Sequence, residues 1–420
     1  MTFAEILEKT QAYISQVFSS EPEPEMLESY VRHFVKQNHF ANASEEEDLL
    51  CEELLDEMQG FSVLSPYLKR DDIEEINVNR WDDVKITDTN GITLPGKHFL
   101  SPHHAVDIIK RLLLQSNMVW DNSQCIQVGH LTGNIRVTAV GFDIVDEDAA
   151  CAVSIRKITA SNLSREDFIA GKTCNEEMID FLREAYKNGV SICIAGSAGS
   201  GKTTLLSYIL KHVPTDKRLL TVEQGTREFD CVYRDHDNTI KNNVVHLQTR
   251  LSDNEKYSIT QEKLLETMMT MNPDFIAVGE SKGAEAMQAI NAANTGHAVI
   301  TTTHANSCED TYFRLVSLCK MKYPNMDEAL LTQLAVRAFP ITVYMKKLKD
   351  NSRRILKICE AEYADDQIQM KELYRFQIEK NAETVQGFIQ KSRCVSNRLL
   401  QQMMENGIDK HWMDLFQKEC

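Results

Sequence analysis

The chain has 420 residues, enough for two or three domains that each bury a core. Charged residues make up 26% and hydrophobic residues 42%, the proportions of an ordinary globular protein. A net charge of −16 at pH 7 excludes broad electrostatic adhesion to nucleic acid or anionic lipid, although it hides any local basic site.

The opening MTFAEILEKT lacks the basic and apolar regions of a signal peptide, and no apolar run approaches the ~20 residues that span a bilayer. The expectation is a chain that stays on the cytoplasmic side. Eleven cysteines without a CxxC pair read as reduced, mostly buried thiols.

Residues 1–58, rich in acids and leucine, read as an N-terminal helical segment. In EEEDLLCEELLDEM, Leu49, Leu50, Leu54, Leu55 and Met58 recur at helical spacing behind an acidic first turn. From 59 to 160 the pattern shortens. IEEINVN, DDVKITD, NIRVTAVGF and AVSIRKI read as strands, HHAVDIIKRLLLQS as a helix and DTNG as a turn, which predicts a smaller α+β N-terminal domain. An interdomain linker is expected over 161–178, near the polar TASNLS. Apolar strands then alternate with helices over 179–345, the pattern of an α/β domain with a parallel-rich sheet. The end of the chain, 346–420, reads as a C-terminal appendage. Two strand-like runs, ITVYMKK and RRILKICEA, lead into it, and helices such as SNRLLQQMMENG finish it.

GSAGSGKT, Gly196 to Thr203, fits G-x-x-x-x-G-K-[ST] without a mismatch, between a buried strand (SICIA) and a helix (TTLLSYILKHV). Glycines let backbone N–H groups converge on phosphates at the positive end of that helix. The loop residues Gly196, Ser197, Ala198, Gly199, Ser200 and Gly201 would cradle ATP, with Thr204 just behind. Lys202 would neutralise the β- and γ-phosphates, and the Thr203 hydroxyl would ligate Mg²⁺.

Three further strand-like runs end in polar residues. RLLTV leads into Glu223, DFIAV into Gly279-Glu280, and AVITTT into His304. Carboxyl ends of parallel strands share one edge, so these three are expected on the rim that carries the glycine loop. Glu280 can orient or deprotonate the attacking water, or hold Mg²⁺ through a water molecule. It can equally be a helix N-cap before GAEAMQAINAA. His297 and His304 are seven residues apart, about 23 Å of extended chain. His304 is therefore the candidate γ-phosphate sensor, and His297 reads as structural or interfacial.

Taken together, GSAGSGKTT, VEQGTREFD, NPDFIAVGESKGAEAMQAINAANTGH and TTTHANS resemble the four nucleotide boxes of the type II/type IV secretion ATPases. That superfamily includes the motors of type IV pili, tight-adherence pili and conjugation machines; the tight-adherence motors look nearest. The resemblance covers roughly residues 54 to 345 and implies a RecA-like P-loop ATPase domain. A glutamate one residue late, after a glycine, is normal there. Glu223 would then stand in the acidic box, Glu280 in the Walker B position, and His297 and His304 in the histidine box. Arg136 and Arg156 match arginines that clamp the nucleotide from the N-terminal domain, although on their own they read as a solvated sheet face. Arg227 and Arg250 are candidate arginine fingers across a subunit interface.

Two positions depart from the family pattern. Gln224 replaces the second acid of the acidic box, so Glu223 or Glu228 must carry its charge. Lys282 stands where arginine is common. The resemblance implies a hexameric ATP hydrolase using ATP and Mg²⁺, docked by an integral membrane platform protein at the inner face of the plasma membrane. No direct nucleic-acid contact is expected. Two rivals remain open: a conjugation or nucleic-acid-associated motor with a RecA-like core, and a nucleotide-binding scaffold without turnover.

Overall fold

A computed structural model describes all residues except 19–21, 42–43, 89–90, 132–134, 158–162, 226–227, 251–254, 382 and 418–420. The chain divides into two compact units, Met1–Thr159 and Ala160–Cys420.

The first unit opens with three helices, α1 (Phe3–Val17), α2 (Pro24–Gln37) and α3 (Ser44–Met58). Thr2 and Glu5 form a capping box that starts α1. Ile6, Leu7, Ile14, Leu27, Val31, Val35 and Leu54 meet in a small core of their own. A short helix, α4 (Ser65–Lys69), precedes β1 (Ile73–Arg80), β2 (Asp83–Asp88) and β3 (Gly91–Thr93). Then follow α5 (Pro102–Leu114), β4 (Ile126–Leu131), β5 (Ile135–Gly141) and β6 (Cys151–Lys157). The strands form one antiparallel sheet in the order β3-β2-β1-β6-β5-β4. Helix α5 presents Ala105, Ile108, Ile109, Leu112 and Leu113 to the inward face of that sheet, where Ile76, Val137 and Ile155 lie. The spacing of those five residues is what makes the segment a helix that packs rather than a loop. Arg111 ties the helical bundle to this layer by donating to the Met58 and Glu57 carbonyls at 2.9 and 3.0 Å.

The second unit starts with α6 (Arg165–Ala170), α7 (Glu176–Lys187), β7 (Ile192–Gly196), α8 (Lys202–Leu210), β8 (Arg218–Glu223) and β9 (Asn243–Gln248). It continues through α9 (Gln261–Met269), β10 (Phe275–Val278), α10 (Ala286–Asn294), β11 (Ala298–Thr303), α11 (Cys308–Lys320) and α12 (Glu328–Ala338). Then come β12 (Ile341–Lys347), β13 (Arg353–Ala364), β14 (Gln367–Asn381), β15 (Val385–Lys391), α13 (Asn397–Glu405) and α14 (Lys410–Gln417). All nine strands share one sheet, β15-β14-β13-β12-β7-β11-β10-β8-β9. From β12 to β9 the pairs are parallel; β13 to β15 are antiparallel. Covered on both faces, β7, β10 and β11 are buried along their whole length, and their sequences are continuous rather than alternating runs.

Three expectations change here. Within the expected linker 161–178 the chain is already structured from Arg165: Phe168, Cys174 and Met178 lie in the core, and Arg165 pairs with the buried Asp180 at 2.7 Å. The expected appendage 346–420 extends the sheet itself, and Leu399, Met403 and Phe416 share a core with Leu205 of α8. Its strands β14 and β15 are additions; the β13–β14 turn places Asp365 and Asp366 at φ 52° and 58°, the left-handed pair of a tight hairpin. Nine cysteines are free thiols as expected, but Cys394 is disulfide-bonded.

Candidate nucleotide site

Strand β7 ends at Gly196, where β12 runs alongside and pairs Met345 with it. The φ of Gly196 is +155°, and a side chain there would be driven into the Met345 carbonyl. Only glycine lets the loop leave the sheet so close to its neighbour. Gly201 (φ +93°) then starts α8 in the left-handed region. Between them, Ser197, Ala198 and Gly199 are exposed, whereas Ser200 is buried and its Oγ has no hydrogen-bond partner among the described residues.

Lys202 is the first residue of α8 and only 7% exposed. Its Nζ donates to the carbonyls of Gly196 and Ser197, both at 2.9 Å, so the ammonium sits inside the loop. Burial lowers its pKa, and the charge of Glu280 pulls it partly back. Thr203 and Thr204 stand half-buried in the first turn of the same helix. A glycine cradle, an unpartnered buried hydroxyl, a buried ammonium and a threonine at a helix N-terminus fit a polyphosphate with its magnesium ion.

The neighbouring strands deliver their ends to this edge, since β7, β11, β10 and β8 are parallel and adjacent. Glu280, two residues past β10, pairs with the His304 Nε2 at 2.9 Å; Lys282 Nζ is 3.9 Å from its other oxygen. The N-cap alternative for Glu280 is not what forms. Helix α10 begins at Ala286, and Glu285 takes the nearby amides instead, accepting from Lys282 and Gly283 at 2.7 and 2.8 Å. The Glu280 carboxylate is thus left facing His304 and the loop lysine.

Glu223 behaves differently. It is 4% exposed, and its carboxylate accepts the backbone amides of Glu228 (2.7 Å) and Phe229 (3.2 Å), holding the chain that leaves β8. A side chain on Gly279 would press on Glu223 Cγ at 3.3 Å, which gives the glycine before Glu280 a steric reason. Glu228 contributes its amide to this cap and is half-buried.

His297 lies at the other end of β11, half-buried, with Nδ1 3.0 Å from the Pro273 carbonyl. The structure therefore separates the two histidines by the full length of a strand. Arg250 is exposed, bridges in backbone to Ile259 and donates to the Tyr257 carbonyl at 3.4 Å. Arg227 lies outside the described residues. Arg136 and Arg156 belong to the first unit, where they are directly opposed on β5 and β6 and so share one sheet face.

Two residues beyond those expected join the site. Arg353, at the start of β13, donates from Nε to the Gly199 carbonyl at 3.0 Å, and its stem lies against Gly201. Gln261, at the start of α9, donates to the Glu280 carbonyl at 3.0 Å. Arg353 opens β13, one strand removed from the glycine-loop strand, and nothing local marks either it or Gln261.

A family model described as type II/IV secretion system protein matches residues 100–410. A chain of Mycobacterium tuberculosis, provisionally named a conjugal transfer protein, is 24% identical over 321 residues, covering 74% of this chain and 88% of its own. The type IV secretion system protein VirB11 of Brucella suis is 37% identical over 153 residues, 36% of this chain and 40% of VirB11. Among solved structures, the Yersinia pseudotuberculosis ATPase DotB superposes with a TM-score of 0.50 at 16% identity, over 72% of this chain and 78% of DotB. At that identity the likeness is one of fold alone.

Proposed function

The chain belongs to the type II/IV secretion system protein family, and from that premise we propose that it hydrolyses ATP to ADP and phosphate at the rim around Lys202 and Glu280. It is an ATPase of the class that powers pilus assembly or protein secretion. The observation that carries the hydrolytic reading is the Glu280–His304 pair beside the buried Lys202.

In this reading the loop amides and Lys202 hold the β- and γ-phosphates, Lys202 exchanging its two carbonyl partners for phosphate oxygens. Glu280 orients a water in line with the γ-phosphorus and takes its proton. The water oxygen bonds to phosphorus, the bridging bond to the β-phosphate breaks, and ADP leaves with that electron pair. His304 holds the Glu280 carboxylate in place and registers the γ-phosphate. The Thr203 hydroxyl would hold magnesium, which would supply charge neutralisation.

The machine around the site belongs to the same proposal. The chain works as a homohexamer on an integral membrane platform protein, at the inner face of the plasma membrane. Arg136, Arg156 and Arg250 contact nucleotide in the assembled ring. Among the described residues no helix is long and apolar enough to cross a membrane, which is consistent with docking through a partner. The likeness to the mycobacterial chain favours a second reading, a conjugation motor. Steady-state phosphate release tests both. Turnover abolished in Lys202→Ala and Glu280→Gln supports the motor, and stimulation by DNA selects conjugation. A wild-type chain without turnover, even when assembled, is a nucleotide-binding scaffold.

A further inference from the structure

On the sheet edge opposite the glycine loop, the starts of β7, β11 and β12 surround a cavity of about 90 Å³. Two arginines line it: Arg337, in the last turn of α12, and Arg398, in the first turn of α13. Both are exposed to solvent, and neither has an ion-pair or hydrogen-bond partner among the described residues. No carboxylate lines the cavity, although acids outnumber bases 62 to 46 in the chain.

The remaining polar groups also lean toward donation. Ser191 is 5% exposed, and its Oγ already accepts the Val299 amide at 2.9 Å, so its hydroxyl proton is free to point into the cavity. His297 has Nδ1 against the Pro273 carbonyl, which leaves Nε2 as its unengaged ring atom. Gln402 spends a proton on the Gly189 carbonyl at 3.0 Å and closes one wall.

Arg337 alone has an ordinary explanation, because a cation suits the negative end of a helix. Arg398 gains nothing from its helix: it stands exposed at the positive end of α13, where a cation is repelled, and among the described residues no carboxylate pairs with it. Two unpaired guanidinium groups, a free hydroxyl proton and a histidine around a small cavity form a donor set without its acceptor.

We infer that this cavity binds a phosphate-sized oxyanion, at a site separate from the nucleotide loop. Free phosphate and the headgroup phosphate of an anionic lipid share the required chemistry. The test uses the full chain with its nucleotide loop filled by a non-hydrolysable ATP analogue. Titration calorimetry with inorganic phosphate is compared between wild type and the Arg337→Ala/Arg398→Ala double variant. Co-sedimentation with phosphatidylcholine vesicles, with and without phosphatidylglycerol, is run on the same pair.

Each lost guanidinium contact should weaken binding roughly tenfold, so the double variant should bind about a hundredfold more weakly. Loss of phosphate affinity identifies a free-anion site; loss of vesicle binding alone identifies the headgroup. Circular dichroism and analogue binding unchanged in the variant exclude misfolding. Equal binding by the two proteins, or none by wild type in either assay, overturns the inference.

Discussion

Glu280 Oε1 lies 2.9 Å from His304 Nε2, joining two residues that follow neighbouring parallel strands. Glu280→Gln keeps the shape but cannot take a proton, so phosphate release should fall about 10²–10³-fold while nucleotide binding persists. His304→Ala removes a holder of the carboxylate and should cost less, about tenfold. A Glu280→Gln enzyme with wild-type turnover would exclude this carboxylate as the base.

Lys202 is bonded to two carbonyls of its own loop. In Lys202→Ala both phosphate neutralisation and these internal ties go. Affinity for a fluorescent ATP analogue should drop about a hundredfold, and turnover should disappear with it. Retained tight binding would place the phosphates elsewhere.

Arg353 touches the loop through a single Nε–carbonyl bond and should act on binding more than on chemistry. Arg353→Ala is expected to raise KM about five- to tenfold with kcat nearly unchanged. Lysine lacks the Nε–H that makes the bond, so Arg353→Lys should rescue little. A fall in kcat at constant KM contradicts this placement.

Gly196→Ala forces a methyl group against the Met345 carbonyl at a φ that L-residues rarely adopt. A destabilisation of about 2–4 kcal/mol is expected, read as a lowered denaturation midpoint. An unchanged midpoint would mean that β12 can yield.

Acid should loosen the C-terminal strands. Burial raises the pKa of Glu372, but hydrogen bonds from Arg375 and Ser392 and the charges of Arg375 and Lys357 outweigh it, leaving the group below the usual glutamate range. Its stabilising contribution is complete above the ordinary glutamate value and is lost as pH falls through the lowered one. Denaturation midpoints measured down the acid range should fall less steeply in Glu372→Gln than in wild type. Parallel profiles would assign the acid sensitivity to other groups.

What was legible in the chain was what is local. The glycine loop needs eight consecutive residues, and parallel strands announce themselves as short apolar runs with a polar residue after them. Topology then aligns those ends without further information, so Glu280 and His304 could be placed on one rim from the sequence. Contacts across long separations were not legible. Arg353 reaches Gly199 over 154 residues, and nothing in RRILKICEA says which arginine faces the loop. Glu223 could be placed on the rim because of where its strand stops, yet its direction depends on the amides of Glu228 and Phe229.

The shared sheet and shared core of the final strands and helices bear on how the molecule melts. Phe416, near the end of the chain, and Leu205, three residues after the loop lysine, lie in one cluster. Heating should therefore give a single cooperative calorimetric transition for the whole second unit. A chain cut after Lys347 would then be a fragment with an open sheet edge and an uncovered apolar face, prone to aggregate rather than to turn over ATP.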